Sequence, residues 1–454
     1  MDRARTPNSF CPGRFERMLI RLERGRLPFL ITISSSAGLA VLTAVRFFLM
    51  IQLLDPSQYG FLNLLATAVN LVPLFLALGL PLHLQKMVRS HGIHTVAAGL
   101  RRSYIVCLAT AAPGAGVIYA ISYPFAESFE EAIVVAVGMT VVCISNAIAI
   151  LVSQMVLAAG YRAVSSLVML AINSGLTWTI CFPYFLNEPS MQVIVLCWAW
   201  GSFATCIAVT VIAVRISHLP GPDALVNMRS SEPETVKTQI LDGIRSIPTM
   251  IGPWLLVFLI RYIMGLQMGT EAIATFAIAS TVVDTAFLIS AAIVSFYSNR
   301  ILDATQSPAK PFLVSCACLC ALVLPCIALM PMVLAVLGNQ QYTLSIPIVL
   351  VLSVAGIARL SITAWRQVTL AQGRLGSLSI FFLGATAIVC IYLLFADPGR
   401  LDIYAVVQAA SYVVIAVSQV LLVHSGRVRM GPGEDSNIFK NSMRQLNPFR
   451  KVRG

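Results

Sequence analysis

Residues 28–54 read PFLITISSSAGLAVLTAVRFFLMIQLL, and residues 241–268 read LDGIRSIPTMIGPWLLVFLIRYIMGLQM. Each is long enough to cross a bilayer as a helix, which takes about 20 apolar residues. Each also carries an arginine about eight residues before its end, Arg46 in the first and Arg261 in the second, about 215 positions apart. A second echo lies further along: residues 154–160 are QMVLAAG and residues 367–373 are QVTLAQG, an offset of about 213. The chain therefore reads as a doubled unit with a buried cation in each copy. Arginine inside a bilayer is costly and usually faces a wet cavity or a partner. Two of them on a pseudo-symmetric scaffold point to a central, positively charged path for an anion.

Composition agrees. Hydrophobic residues make up 58% of the 454 and charged ones 11%, against roughly 25% charged in soluble domains. The expected fold is an all-α polytopic membrane protein with about 12 spans in two six-helix lobes. The spans fall at about 28–54, 59–86, 102–124, 131–158, 164–186, 190–214, 241–268, 271–298, 310–337, 344–371, 376–396 and 401–424. Proline cannot continue a helix interior, so Asp55-Pro56-Ser57 ends the first. No cleavable signal is visible, because the first apolar run is too long for a signal h-region.

Basic residues set the orientation. Residues 1–27 are arginine-rich, and Arg101, Arg102, Arg162, Arg215, Arg300, Lys310, Arg374 and the residues after 424 fall on one side of the span pattern. The other side shows Asp55, Glu127, Glu130, Glu131, Glu188, Glu271, Asp397 and Asp402, with Arg400 as its basic residue. The positive-inside rule places both termini in the cytosol. The formal charge of +12 is thus topology and requires no nucleic acid.

Five segments follow. Residues 1–27 form a basic N-terminal segment, in which Phe15, Met18, Leu19 and Leu22 recur at helical spacing among arginines. That pattern predicts an amphipathic helix on the cytosolic membrane surface. Residues 28–214 form the first lobe, 215–240 a cytosolic linker, 241–424 the second lobe and 425–454 a basic tail. Six spans return the chain to its starting side, so the two lobes are parallel repeats, with the site expected between them.

Arg46, Arg261 and Arg359 are the candidate anion-binding residues, with Asn70 as a polar contact. Arg366 lies seven residues beyond Arg359 on roughly the same helix face, either in the cavity or snorkelling to the inner headgroups. Asp284 is the clearly intramembrane acid. It either pairs structurally with Arg261 or Arg359, carries a coupling proton or sodium ion, or marks a contact that switches between states. Asn63 and Asn70, followed by Pro73, fit interhelical hydrogen bonding and a kink. The eleven cysteines read as small hydrophobes; Cys316, Cys318 and Cys320 alternate on one helix without His or carboxylate neighbours, which argues against a metal. No phosphate-binding glycine loop, HExxH or nucleophile elbow occurs, so neither an enzyme activity nor a cofactor is expected.

Residues 53–60 (LLDPSQYG), after the span holding Arg46, resemble the opening of the polysaccharide transporter family, the Wzx-type flippases of the MATE/MOP flippase superfamily. LALGLP at 76–81 is similar to that family's Leu-Gly stretch late in its second helix, and the QxxLAxG echo fits the ends of its fourth and tenth helices. An acid usually precedes the Tyr-Gly pair; here it is Gln58. The resemblance implies two bundles rocking around a central cavity. It also implies flipping of a polyprenyl-pyrophosphate-linked oligosaccharide (an O-antigen, capsule or exopolysaccharide unit) across the bacterial inner membrane. The implied partners are that lipid-linked substrate, membrane lipids, and a polysaccharide polymerase with other assembly proteins. A cationic cavity suits pyrophosphate, since guanidinium binds phosphate oxygens in bidentate fashion. The rivals are a multidrug or cation antiporter of the same superfamily and an integral-membrane polysaccharide polymerase. The first calls for carboxylates in the cavity and the second for a sizeable outward domain.

Overall fold

The computed structural model describes residues 18, 19, 21–23, 27–78, 80, 81, 84, 87, 88, 95–177, 190–217, 236–302, 305–336, 342, 344–372, 374–396 and 399–425. All regular structure among them is helical. In chain order the helices are α1 (Leu27–Leu53), α2 (Pro56–Leu76), α3 (Val96–Ala109), α4 (Ala111–Ser122), α5 (Phe129–Ala158), α6 (Arg162–Asn173) and α7 (Met191–Ile216). The second half contains α8 (Val236–Met268), α9 (Thr270–Leu302), α10 (Ala309–Val336), α11 (Ile346–Ala371), α12 (Leu375–Ala396) and α13 (Leu401–Ser425).

Among the described residues ten helices are long and apolar enough to cross a membrane, and the bent pair α3–α4 makes an eleventh. The third expected span is thus a broken one, turning by 50°. The fifth expected span, 164–186, is described only to residue 177, with α6 as its start. The second expected span stops at Leu76 rather than 86. Its exit turn places Leu78 at φ 45, a left-handed conformation that β-carbon sterics make uncommon. At the other end α2 is capped by Asp55, whose Oδ1 accepts from the Gln58 N–H at 2.8 Å, with Pro56 opening the helix. This is the usual way to satisfy orphan amides at a helix start.

The repeat is visible in element boundaries. Val96 and Ala309 open α3 and α10, Ala158 and Ala371 close α5 and α11, and Arg162 and Leu375 open α6 and α12. Each pair is separated by the 213 positions that also separate hydrogen-bonded Ser57 and Thr270. Packing repeats too: α1 lies on α6 as α8 lies on α12, and α5 lies on α7 as α11 lies on α13. Two clusters of buried apolar side chains correspond closely to the two halves. The halves meet where α2 packs on α8 and α9, and α1 on α9.

One end of the bundle carries Asp55, Glu127, Glu271 and Asp402, and there the halves are closely joined. Ser57 and Thr270 hydroxyls lie 2.9 Å apart. Tyr342 donates to the Leu54 carbonyl at 3.0 Å and meets Tyr59 edge to face. Phe125 meets Tyr262 in the same way. Gly60 is required here: a β-carbon at that position would stand 1.8 Å from the Thr270 carbonyl oxygen. At the basic end the halves touch through Phe29 and Phe296, with the Arg162 guanidinium 5.7 Å from the Phe296 ring centroid.

In the N-terminal segment, residues 18, 19, 21 and 22 are helical, Leu19 is buried and Met18 is exposed. Glu23 accepts from the Val164 N–H at 3.2 Å, at the start of α6. Burial pushes its carboxyl up to about 7, against the amides of Val164, Ala163 and Arg162, which favour the ionised form. Most of the expected linker, residues 218–235, and the tail beyond 425 lie outside the described residues. The nine cysteines among the described residues are all free, and those residues contain no metal-binding cluster.

Candidate functional site

Five helices aim ionised or amide side chains at one point near the middle of the bundle, α13 through Gln408. Helix α8 supplies Arg261 and Trp254, α9 Ser280 and Asp284, α11 Arg359, and α2 crosses from the other half with Thr67 and Asn70. Helical spacing accounts for the assembly. Ser280 and Asp284 are four apart on α9 and therefore share a face, as do Thr67 and Asn70 at three apart on α2.

Arg261 bridges the two halves. Its Nη1 donates to Thr67 Oγ1 at 2.6 Å and its Nη2 to Ser280 Oγ at 2.7 Å. The same Nη2 lies 4.0 Å from Asp284 Oδ2. Arg359 makes the tighter pair, Nη1 to Asp284 Oδ1 at 2.5 Å. Asp284 is therefore shared by two arginines, and the cluster keeps one net positive charge. Its carboxylate side chain is 41% exposed while the Arg261 and Arg359 side chains are 9% and 11% exposed. The carboxylate thus faces the cavity, and the guanidiniums are held in the wall. Arg359 is further fixed by aromatic faces, with its guanidinium carbon 4.1 Å from the Phe287 centroid and 5.5 Å from Trp254. Such stacking suits a planar, weakly hydrated cation. Among the residues lining this cavity, two buried atoms lack a hydrogen-bond partner, Arg261 Nε and the Gln408 side-chain oxygen. Gln408 on α13 is a site residue that the sequence reading did not single out. Its only signal was an amide within an apolar helix, a feature that Gln419 on the same helix shares.

Four of the five expected site residues, Asn70, Arg261, Asp284 and Arg359, line this cavity of about 50 Å³. Arg46 lines neither it nor the adjoining chamber. Both arginines stand seven residues before the ends of their helices, α1 at Leu53 and α8 at Met268, yet of the two it is Arg261 that lines this cavity. Arg46 instead interacts electrostatically with Tyr59, a buried residue that also interacts with Arg261. Asn63 and Asn70 do not reach other helices. Each side-chain amide donates one turn back, to the Tyr59 and Ala66 carbonyls at 3.0 and 3.1 Å. That leaves the Asn70 oxygen available on the cavity side.

A second chamber of about 180 Å³ adjoins the first and shares Trp254 and Arg359 with it; Arg366 lines its far side.

No protein family and no characterised protein matches this chain at the level of sequence. Comparison of folds shows a helical arrangement similar to that of MATE/MOP-superfamily transporters. An outward-facing multidrug resistance MATE family transporter of the MOP superfamily superposes with a TM-score of 0.61 at 12% identity, over 90% of this chain and 98% of that one. An inward-facing one gives 0.59 at 13%, over 88% and 99%. A MOP-superfamily transporter from Pyrococcus furiosus, described as having a binding pocket of reverse polarity that suggests a different function, gives 0.60 at 13%, over 90% and 97%. At these identities the likeness concerns the fold.

Proposed function

We propose that the chain is a flippase that moves a polyprenyl-pyrophosphate-linked oligosaccharide from the cytosolic to the outer leaflet of a bacterial inner membrane by alternating access. The observation that carries this reading is the charge of the central cavity. Two arginines face one aspartate, so the wall presents net positive charge to a ligand entering between the lobes. A cation extruder needs the opposite sign. The Pyrococcus transporter of the same fold, with its reversed pocket polarity, shows that this architecture accepts more than one cavity charge.

Arg261 and Arg359 bind the phosphate oxygens, Asp284 holds the two guanidiniums in place between cycles, and Asn70 and Gln408 supply hydrogen bonds to the sugar. The cavity at about 50 Å³ is far smaller than such a headgroup. Loading therefore requires the halves to separate at the basic end, which the arginine distribution places in the cytosol. The Arg261–Thr67 hydrogen bond crosses between the halves and is one of the contacts that must open.

The test is flipping of a fluorescent undecaprenyl-pyrophosphate oligosaccharide in proteoliposomes. Arg359→Ala and Arg261→Ala should each slow it at least tenfold without loss of folded protein. Lys at either position should restore only part, because it lacks the planar fork. Equal rates for parent and the double Ala variant would refute the reading, as would selective efflux of organic cations.

A further inference from the structure

The chamber beyond Arg359 is a site in its own right. One face of α11 forms its floor: Arg359, Ile362, Thr363 and Arg366 fall at i, i+3, i+4 and i+7 and line it together, as helical periodicity requires. Trp254, Phe287 and Tyr412 form the opposing wall. The two arginines are about 10 Å apart along the helix axis at 1.5 Å per residue.

Their states differ. Arg359 is committed, with one edge on Asp284 and its face against Phe287 and Trp254. Arg366 has neither an ion pair nor a hydrogen bond among the described residues. A guanidinium carries five donors and no acceptor, and within a membrane segment it is costly without a partner. None of the residues lining the chamber is a carboxylate, and Asp284 lines the other cavity. The Tyr412 hydroxyl already donates to the Pro253 carbonyl, and the Thr363 hydroxyl to the Arg359 carbonyl at 2.8 Å. Both oxygens therefore keep acceptor capacity only, and the donors that a ligand meets here are Arg366, the remaining edge of Arg359 and the Trp254 indole N–H.

We propose that this chamber is a second anion station, taking a phosphate ester on Arg366 with Trp254 and Phe287 against the group it is attached to. The demand is for an acceptor-rich anion joined to an apolar or ring-bearing body, which a phosphate ester meets and a halide does not. The phosphate comes either from a membrane lipid headgroup or from a soluble phosphate compound. Arg359 belongs to both cavities, so an anion leaving Arg366 meets it next on the way to Arg261. The inference rests on the chamber's own residues and stands apart from the identity of any transported saccharide.

Calorimetric titration of inorganic pyrophosphate into the full-length protein in phosphatidylcholine nanodiscs tests it. The parent should show a site that Arg366→Gln weakens at least tenfold and that Arg366→Lys weakens less, while Arg261→Gln leaves it in place. Repeating the titration in phosphatidylglycerol nanodiscs separates the sources. Competition that disappears in Arg366→Gln identifies a lipid headgroup as the occupant, and its absence identifies a soluble phosphate compound; both support the station. Folding is checked by thermal unfolding, and Arg400→Gln, which removes an exposed charge at the acidic end, should retain the site. Pyrophosphate binding of unchanged affinity and stoichiometry in a folded Arg366→Gln protein, with the same lipid response as the parent, overturns the proposal. A parent protein that binds pyrophosphate at this site but flips no lipid-linked oligosaccharide would count against the flippase reading alone.

Discussion

Gly60 is where a single methyl group should set the balance between conformations. At the acidic end its α-carbon lies so close to the start of α9 that an added β-carbon would stand 1.8 Å from the Thr270 carbonyl oxygen and 3.2 Å from the Ala274 nitrogen. Both obstacles are backbone, so no rotamer change relieves them. To reach the 3.0–3.4 Å that real β-carbons tolerate, the helices must part by roughly 1.2–1.6 Å. The Ser57–Thr270 bond, 2.9 Å now, lengthens beyond hydrogen-bonding range. Overpacking of this kind costs about 1–3 kcal/mol. That cost falls only on the state closed at the acidic end. Gly60→Ala should therefore shift the closed-to-open ratio by roughly 5- to 150-fold, at 1.36 kcal/mol per factor of ten. The assay is disulfide cross-linking of Ser57→Cys with Thr270→Cys in a background with the native cysteines replaced, with and without Gly60→Ala. The added methyl should abolish rapid cross-linking, leave thermal unfolding cooperative and reduce transport. If the Ala variant cross-links as fast as its parent and transports normally, the contact is not a gate.

Three other outcomes are expected. Asp284→Asn should leave Arg261 and Arg359 without their shared counter-charge, lowering thermal stability; if a folded variant keeps flipping but loses substrate-coupled proton movement in proteoliposomes, Asp284 is instead the coupling site. Docking of the N-terminal segment on α6 should depend on pH. The Glu23 carboxyl is raised to about 7, so the docked state is favoured fully below the ordinary value of 4.5 and loses that advantage as pH rises through 7. Hydrogen exchange at residues 18–23, corrected for intrinsic rates, should be slower at pH 5 than at pH 8, and Glu23→Gln should remove the difference. An inside-negative potential should speed outward flipping. About two charges crossing 100 mV are worth roughly 4–5 kcal/mol, and a rate unchanged when the potential is clamped to zero would exclude this drive.

Much of the molecule is legible in the chain itself. Span length and apolar content announce a helical membrane protein, because the bilayer leaves backbone groups no partner outside a helix or closed barrel. The two echoes at about 213 positions point to the repeat, which the starts of α3 and α10, the ends of α5 and α11, and the starts of α6 and α12 follow at 213. Asp284 and Arg359 stood out because ionised residues in apolar spans are rare. What the sequence could not supply was the direction in which each side chain faces. Arg46 and Arg261 occupy matching places, seven residues before the ends of α1 and α8, yet their surroundings differ. Arg261 lines the central cavity, while Arg46 interacts with Tyr59. Nor could periodicity reveal that Arg261 would be tied to Thr67 from the other half, that Asp284 would be divided between two arginines, or that Gly60 would meet the Thr270 backbone. Those contacts join residues 23 to 210 positions apart. They are decided by how α2, α8, α9 and α11 pack, since in lipid it is close packing and interhelical hydrogen bonds that fix helix rotation.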